Sequence, residues 1–290
     1  MPGTLLTRSR QHMKRPLMSL ERWLYAFGLL RFRKLLLPHF LCLGSGQSGT
    51  TWLHENLSMH PHIRLPDIKE THYFSRKFDR WWLTDYAANF ANGEDMVRGE
   101  ITPGYNTLRR DRIAWVRRLI PRARLILIIR NPVDRAWSAT RRVISKMAAV
   151  QGITFDEMDD SEFINYMLNE WAYRPERGMA GAFEPGLLEG QYSRVIGNWL
   201  AQFDEEQLLI VFFDEISRDP DGLLGKVCRH IGVDASLLPK QEIQKVVNAN
   251  PTHRIPERFR TFLVELYADE MQFLQDRFGK EIDAAWGWWS

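Results

Sequence analysis

A short glycine-containing segment between an apolar run and a helix-like run carries the first sign of chemistry. It has the sequence GSGQSGTT over residues 44–51 and follows the apolar residues 40–43. A loop of this kind at the start of a helix points several backbone N–H groups at one place, and such a place binds phosphate. Gly44 and Gly49 have the spacing of a nucleoside triphosphate loop, but Thr50 stands where that loop has its lysine. The segment therefore predicts a phosphate-binding loop that differs from that of an ordinary ATPase or kinase.

A second anion-binding candidate follows another apolar run. Arg130 comes directly after this run, and Ser138 lies about two helical turns further on. The planar guanidinium suits the paired oxygens of a phosphate, and a hydroxyl adds one more hydrogen bond. The alternative is an ion pair between Arg130 and Asp134 at the start of the helix. Ligands bind at the carboxyl ends of strands in open α/β sheets, so the loops 44–49 and 130–138 are expected to lie together.

A third candidate is the pair Glu70 and His72, which lies about twenty residues after the phosphate loop. In an extended segment, side chains two positions apart share one face, so this pair is expected to point the same way. A carboxylate in that position can take a proton from a substrate hydroxyl. The alternative is a surface salt bridge beside a histidine with no role in chemistry.

The elements that position these residues alternate in type along the chain. The expected strands are the continuous apolar runs at 40–43, 125–129 and 208–213. The expected helices are the periodic segments at 50–59, 132–149, after Asp219-Pro220 and 256–277. Residues 151–189 are expected to form a helix followed by a mobile loop. This order predicts an α/β fold: a central parallel sheet flanked by helices, with a P-loop-like phosphate-binding strand, loop and helix.

Composition narrows the class of protein. The chain has 290 residues, of which 44% are hydrophobic and 26% charged, as in ordinary soluble globular proteins. Its two cysteines, Cys42 and Cys228, exclude a disulfide framework and a cysteine-rich metal site. Both are interpreted as buried core thiols, which fits a reduced, cytoplasmic location.

Charge separates the first 36 residues from the rest. Residues 1–36 hold eight Lys or Arg and one Glu, which leaves 31 basic and 35 acidic residues in the remainder. The body is mildly acidic, so nucleic-acid binding is not expected. The apolar run Trp23 to Leu30 is too short to span a membrane. The extension is interpreted as docked on the body or poorly ordered, in preference to a helix in weak peripheral contact with a membrane; residues 37–290 are expected to form one domain.

The three segments, taken together and in this order, resemble those of sulfotransferases that use 3′-phosphoadenylyl sulfate (PAPS). The resemblance extends from about Pro38 to Trp286 and is nearest to heparan sulfate sulfotransferases and their bacterial relatives. It implies transfer of a sulfuryl group from PAPS to a hydroxyl or amine of a carbohydrate, lipid or other small acceptor. It implies no metal.

The resemblance also implies roles for individual residues. The 5′-phosphosulfate would be held by the loop residues Gln47, Ser48, Gly49, Thr50 and Thr51. The 3′-phosphate would be held by Arg130 and Ser138. Trp52 would lie against the adenine or, equally, pack in the core. Glu70 would be the general base, with His72 orienting it or the acceptor.

Two departures from the family pattern bear on activity. At the catalytic position where the family usually has a lysine or arginine that steadies the transferring sulfuryl group, this chain has Gln47. Heparan-type members also have a second lysine where this chain has Ile101. Loss of one preorganised transition-state donor typically costs about 10²–10³ in rate. The candidates to supply the missing charge are Lys69, His72, Arg76 and Arg98. An enzyme is therefore the first hypothesis, and a PAPS-binding relative with impaired turnover is the second. An ATP-dependent phosphotransferase is the third, which Thr50 argues against.

Overall fold

The computed structural model describes residues 17–29, 35–151, 187–239 and 255–286, with no side-chain description for 143–151 and 258. Most of the helix and loop expected over residues 151–189 therefore lies outside the described residues.

A five-stranded parallel sheet forms the centre of the fold, in the order β2-β3-β1-β4-β5. The strands are β1 (Phe40–Gly44), β2 (Ile63–Arg64), β3 (Val97–Ile101), β4 (Arg124–Ile129) and β5 (Leu208–Phe212). The expected strands at β1, β4 and β5 are confirmed, as is their parallel arrangement. The sequence does not predict β2, because two residues leave no alternating pattern.

Eleven α-helices have four or more residues within the described ranges of the chain. They are α1 (17–26), α2 (Thr50–Ser58), α3 (Leu83–Ala88), α4 (Arg110–Leu119), α5 (Pro132–Gln151), α6 (Tyr192–Leu200), α7 (Glu215–Arg218), α8 (Pro220–Ile231), α9 (Glu257–Leu266), α10 (Ala268–Phe278) and α11 (Lys280–Trp286). The expected helices at α2, α5 and α8 are confirmed. The Asp219 carboxylate caps α8 by accepting the Gly222 N–H at 2.9 Å, as expected of an Asp-Pro helix start.

The prediction of a single long helix over residues 256–277 is wrong, because the helix is interrupted at Tyr267, which separates α9 from α10. Tyr267 is buried, and its hydroxyl donates to the carbonyl oxygen of Leu187 at 2.9 Å. Beyond the break, Glu270 accepts the N–H of Ser193 in the first turn of α6 at 2.6 Å. The break thus lets α9 pack on α5 and α10 pack on α6, and the apolar period alone does not reveal this change of direction.

Apolar cores lie on both faces of the sheet. Leu125, Leu127 and Ile129 of β4 belong to one core, whereas Ile126 and Ile128 belong to the other. This alternation is why the strand is apolar throughout.

Both cysteines lie in the second of these cores, where they remain free and buried. Burial raises the pKa of the Cys42 thiol to about 12 and that of Cys228 to about 11. They therefore remain protonated at neutral pH, which confirms their interpretation as core thiols.

Helix α1, within the basic extension, docks on the body of the protein. Arg22 is buried and donates to the hydroxyl of Tyr73 and the carbonyl of Trp81, both at 3.2 Å. Glu21 accepts the N–H of Leu83 at 2.7 Å at the start of α3. These contacts fit the docked extension rather than a membrane-surface helix. Within the described ranges, no helix is both long enough and apolar enough to cross a membrane. The boundary between residues 36 and 37 stays a prediction.

Candidate functional site

The loop between β1 and α2 has the shape that a phosphate-binding loop requires. Gly49 precedes α2 with a φ of 78°, in the left-handed region that glycine adopts most readily. A Cβ at this position would lie 2.2 Å from the Cδ1 of Ile216, so a side chain is excluded by contact as well as by conformation. The sequence therefore has glycine here because the loop has to turn into the helix against a packed neighbour.

The loop also holds polar groups suited to an anion. Ser48 is fully buried, and its Oγ has no hydrogen-bond partner within the described part of the chain. Thr50 is buried and Thr51 is exposed in the first turn of α2. A buried hydroxyl without a partner, beside the N–H groups at a helix start, fits the oxygen of a phosphate-type ligand.

The two segments predicted to bind anions meet at Gln47. The Nη1 of Arg130 donates to the backbone carbonyl of Gln47 at 2.9 Å. The hydroxyl of Ser138 donates to the Oε1 of the same residue at 3.2 Å. The expectation that loops 44–49 and 130–138 lie together is thus confirmed. The Arg130 guanidinium also stacks 4.5 Å from the ring centroid of Phe213, which holds its plane beside the loop.

Tyr192 fixes the backbone of Arg130 from a distant part of the chain. Its hydroxyl accepts the Arg130 N–H at 3.1 Å and donates to the Arg130 carbonyl at 2.9 Å. The next residue, Asn131, caps α5 by accepting the N–H of Val133 at 3.0 Å. Tyr192 is 62 positions from Arg130, so only the fold brings these residues together.

Glu189 is a site residue that sequence reasoning misses. Its Oε2 accepts the N–H of Gly46 at 2.8 Å and lies 3.5 Å from the Nη1 of Arg135, whose side chain is fully buried. Burial raises the pKa of Glu189, while the Arg135 charge and the Gly46 N–H oppose that rise. A lone acidic residue that lies 143 positions from its partner leaves no motif, so no signal in the sequence reveals it.

Glu70 and His72 do lie together, but not in the way that the sequence predicts. The prediction of an extended segment here is wrong, because the backbone of both residues is in the left-handed region, with φ of 63° and 55°. This turn places the His72 Nε2 at 3.4 Å from the Glu70 Oε2. On the other side, the Lys69 Nζ donates to the Glu70 Oε1 at 2.7 Å. The His72 Nδ1 shares a hydrogen bond with the Ser75 Oγ at 3.1 Å, which orients the ring.

The charges around Glu70 keep its carboxyl group ionised. Burial alone would raise the pKa of Glu70, but the hydrogen bond and charge of Lys69, helped by His72 and Arg142, hold it below the usual value. Burial and the nearby Arg76 lower the pKa of His72. At neutral pH the site therefore contains a carboxylate beside a neutral imidazole, which is the state required of a base.

The buried carboxylate of Glu100 holds this turn through a hydrogen bond from Thr71. Thr71, which lies between Glu70 and His72, donates its hydroxyl to the Glu100 Oε2. The Glu100 carboxylate also accepts hydrogen bonds from the hydroxyls of Tyr86, Tyr105 and Thr102. Burial raises the pKa of Glu100, whereas these hydroxyls counter it. The sequence does not indicate that Glu100 anchors Thr71.

Other residues named from the sequence lie further from the chemistry. Trp52 and Ile101 are both buried in the second core, so Trp52 packs as the core alternative predicts. Arg98 donates to the carbonyls of Leu37 and Gly93, which removes it as a source of charge at the site. The part of the chain that the structure describes has no group of three potential metal ligands.

The fold and the site together define an α/β protein with a P-loop-like anion site and an adjacent carboxylate. The family model described as "Sulfotransferase domain" matches residues 37–273, so the chain belongs to the sulfotransferase family. This confirms the resemblance drawn from the three sequence segments.

Curated relatives agree with this membership. Heparan sulfate glucosamine 3-O-sulfotransferase 3B1 of Homo sapiens is 27% identical over 206 residues, which cover 70% of this chain and 48% of that protein. Carbohydrate sulfotransferase 15 of Homo sapiens is 24% identical over 281 residues, which cover 78% and 49%. The chain thus spans about half the length of these relatives.

The fold is also that of a solved sulfotransferase from Alicyclobacillus acidocaldarius. That structure matches with a TM-score of 0.62 and 22% identity, and the match covers 83% of this chain and 95% of the other. At this identity the likeness concerns the fold, and it confirms the predicted parallel sheet flanked by helices.

Proposed function

We propose that this protein transfers a sulfuryl group from PAPS to a hydroxyl or amine of a small acceptor and releases adenosine 3′,5′-bisphosphate. Family membership supports this reaction. The observation that carries it is the meeting of two anion-binding segments at Gln47, contacted by Arg130 at 2.9 Å and by Ser138 at 3.2 Å. PAPS has phosphate groups at both its 5′ and 3′ positions, and a donor of that kind needs two such segments.

The donor would lie across the carboxyl ends of β1 and β4. The loop residues, including Ser48 with its unpartnered hydroxyl, would receive the 5′-phosphosulfate. Arg130 and Ser138 would receive the 3′-phosphate, with the Ser138 hydroxyl exchanging its Gln47 partner for a phosphate oxygen. Recognition of the 3′-phosphate distinguishes this donor from ATP.

Glu70 is the proposed general base. It is ionised because Lys69 holds its pKa low, and it therefore accepts the proton that the acceptor hydroxyl loses. The His72 Nε2 lies 3.4 Å from the carboxylate and orients it or the acceptor. Bound PAPS would supply an activated sulfuryl group, and in-line transfer of such groups is catalysed mainly by positioning and charge. Lys69 is the cation that lies nearest to the base in this arrangement.

A carbohydrate is the acceptor class that we favour. A cavity of about 420 Å³ lies between the residues that follow β2 and helix α3. Its lining combines one indole ring with several groups that form hydrogen bonds: Arg64, Asp67, Ile68, Trp81, Asp85, Ala88 and Asn89. An aromatic surface beside hydrogen-bonding groups suits a hydroxyl-rich ring. Lipid hydroxyls are the next class to test.

The alternative function is binding of PAPS or its product without efficient transfer. Its supporting observation is that Gln47 has no charge and bonds to Ser138, while Ile101 is buried in the core.

Two measurements separate these functions. Calorimetry compares binding of adenosine 3′,5′-bisphosphate with binding of ATP, and labelled PAPS reports transfer to sugars, phenols and lipids. Bisphosphate binding together with transfer supports the enzyme, whereas binding without transfer supports the alternative. A preference for ATP with a requirement for magnesium would overturn both.

A further inference from the structure

We propose that Glu189 is a positioning residue for the phosphate-binding loop of residues 44–49, called the donor loop below. Its carboxylate joins this loop to helix α5 and thereby fixes the two anion-binding segments relative to each other. The expected effect on affinity for the nucleotide rests on the proposed function. The geometry concerns the ligand-free protein and can be tested separately.

Glu189 contacts two successive residues of the loop. Its Oε2 accepts the Gly46 N–H at 2.8 Å, and its backbone carbonyl accepts the Ser45 hydroxyl at 3.4 Å. The same carboxylate oxygen lies 3.5 Å from Arg135, and the Glu189 side chain is only 19% exposed. Charge-assisted hydrogen bonds are stronger than neutral ones, and a low local dielectric strengthens them further.

These contacts connect the loop to the helix that presents the second anion-binding group. Arg135 and Ser138 both belong to α5, and they lie one turn apart on it. Gly46 is followed directly by Gln47, which Arg130 and Ser138 contact. The loop is therefore tied to the second segment twice, once directly at Gln47 and once through the Glu189 carboxylate.

The loop needs such a tie because its conformation is costly. Gln47 is left-handed with a φ of 64°, which costs a residue with a side chain of the order of 1 kcal/mol or more unless its surroundings enforce it. At Gly46, next to it, a Cβ would lie 2.5 Å from the Glu189 Oε2, so a side chain there would displace the carboxylate. Glu189 thus fixes the residue that immediately precedes the strained one.

A carboxylate that competed with the ligand would have the opposite effect on binding. If the Glu189 carboxylate occupied the place of a phosphate oxygen of the nucleotide, its removal would tighten binding of adenosine 3′,5′-bisphosphate. Glu189 instead faces Gly46 and is paired with Arg135, so its removal is expected to weaken binding by loosening the loop.

The experiment compares variants of two carboxylates that each accept a backbone N–H. Glu189→Ala removes the tie, and Glu189→Gln keeps a hydrogen-bond acceptor but loses the charge. Glu270→Ala and Glu270→Gln are the matched controls, because Glu270 accepts the N–H of Ser193 at 2.6 Å and has no hydrogen bond to the loop among the described residues. Bisphosphate affinity is measured by calorimetry, and backbone exchange of residues 45–50 is measured by hydrogen–deuterium exchange in the ligand-free protein.

Glu189→Ala should weaken bisphosphate binding about 10- to 100-fold and speed exchange of the loop amides. Glu189→Gln should retain part of the affinity. The Glu270 variants should lower the melting temperature and leave the affinity and loop exchange near those of the original protein. Gly46→Ala, which would push the carboxylate away, should weaken binding on its own but add little to Glu189→Ala.

Unchanged loop exchange or tighter bisphosphate binding in Glu189→Ala would overturn the inference, as would an equal loss of affinity in Glu270→Ala. If the unmodified protein does not bind the bisphosphate, the proposed function fails. In that case loop exchange in Glu189→Ala and Glu270→Ala still decides whether Glu189 holds the loop.

Discussion

The donor loop (residues 44–49) and the segment that contains the proposed base (residues 69–72, the base segment) have similar backbone conformations but are held by different interactions. Each contains residues with side chains in the left-handed region: Gln47 in the loop, and Glu70 and His72 in the base segment. Each is also held by one carboxylate, Glu189 for the loop and Glu100 for the base segment. The Glu189 carboxylate is paired with a buried guanidinium, whereas the Glu100 carboxylate is surrounded by hydroxyls.

This difference matches what each region has to do. The Arg130 guanidinium beside the donor loop can bind an anionic ligand as well as hold the backbone. Neutral hydroxyls below the base segment hold its backbone while adding no positive charge to the base. Changes in the donor region should therefore act mainly on donor binding, and changes in the base region mainly on turnover.

The sharpest test of this division is Glu70→Gln. The amide cannot accept the acceptor proton, so turnover should fall by about 10²–10⁴, the usual contribution of a general base. Binding of adenosine 3′,5′-bisphosphate should stay unchanged, because Glu70 is proposed to act on the acceptor and not on the bisphosphate. Labelled PAPS measures the first and calorimetry the second. Asp79→Asn, which alters an exposed carboxylate paired with Arg112, is the control. Turnover within tenfold of normal in Glu70→Gln would show that the base is another group.

The complementary change in the donor region is Arg130→Ala. It removes a charged partner of the proposed 3′-phosphate, so bisphosphate affinity should fall about 10- to 100-fold. Affinity for adenosine 5′-monophosphate, which lacks that phosphate, should change much less. Competition binding with both nucleotides measures the ratio, and Arg109→Ala, at an exposed ion pair with Asp111, is the control. An equal loss for both nucleotides would mean that Arg130 only shapes the loop.

Much of the donor region could be predicted because its chemistry lies in short continuous segments. The glycine spacing of the loop, and Arg130 at the end of an apolar strand, are local patterns. The rule that ligands bind at strand ends brings them together. What the sequence leaves out are partners that only the fold supplies, namely Glu189 with Arg135, and Tyr192. The break at Tyr267 is missed for a related reason, since a continuous apolar period does not show that a helix changes its packing partner.

The base region is harder to predict because its geometry contradicts the local expectation. Two-residue spacing indicates one face of a strand, but Glu70 and His72 meet through a left-handed turn. Thr71, within that turn, donates its hydroxyl to Glu100, which lies 29 positions away. The residue types predict the chemistry here, while the conformation follows from tertiary contacts.

Thr71→Val tests whether that distant bond matters for turnover. It removes the Thr71 hydroxyl, so the base should be less well placed and turnover should fall about tenfold, because small displacements of reacting groups are costly. Bisphosphate affinity should not change. Thr102→Val is the matched control, since its hydroxyl also donates to Glu100, at 3.1 Å, but it is not next to the base. Both variants should lose about 1–3 kcal/mol of unfolding free energy, and equal losses of turnover would contradict the positioning role of Thr71.

The finest distinction concerns the charge beside the base, and Lys69→Met tests it. Lys69 holds the pKa of Glu70 below its usual value, although burial alone would raise it. Without Lys69 the effect of burial prevails, so the pKa of Glu70 should rise, and the fall of kcat/KM on acidification should begin at higher pH. A pH–rate profile in excess PAPS measures this shift. Lys226→Met, which removes an exposed ammonium paired with Glu215, is the control and should leave the profile in place. If the profile of Lys69→Met does not move but turnover falls at every pH, Lys69 acts on the transferred group and not on the base.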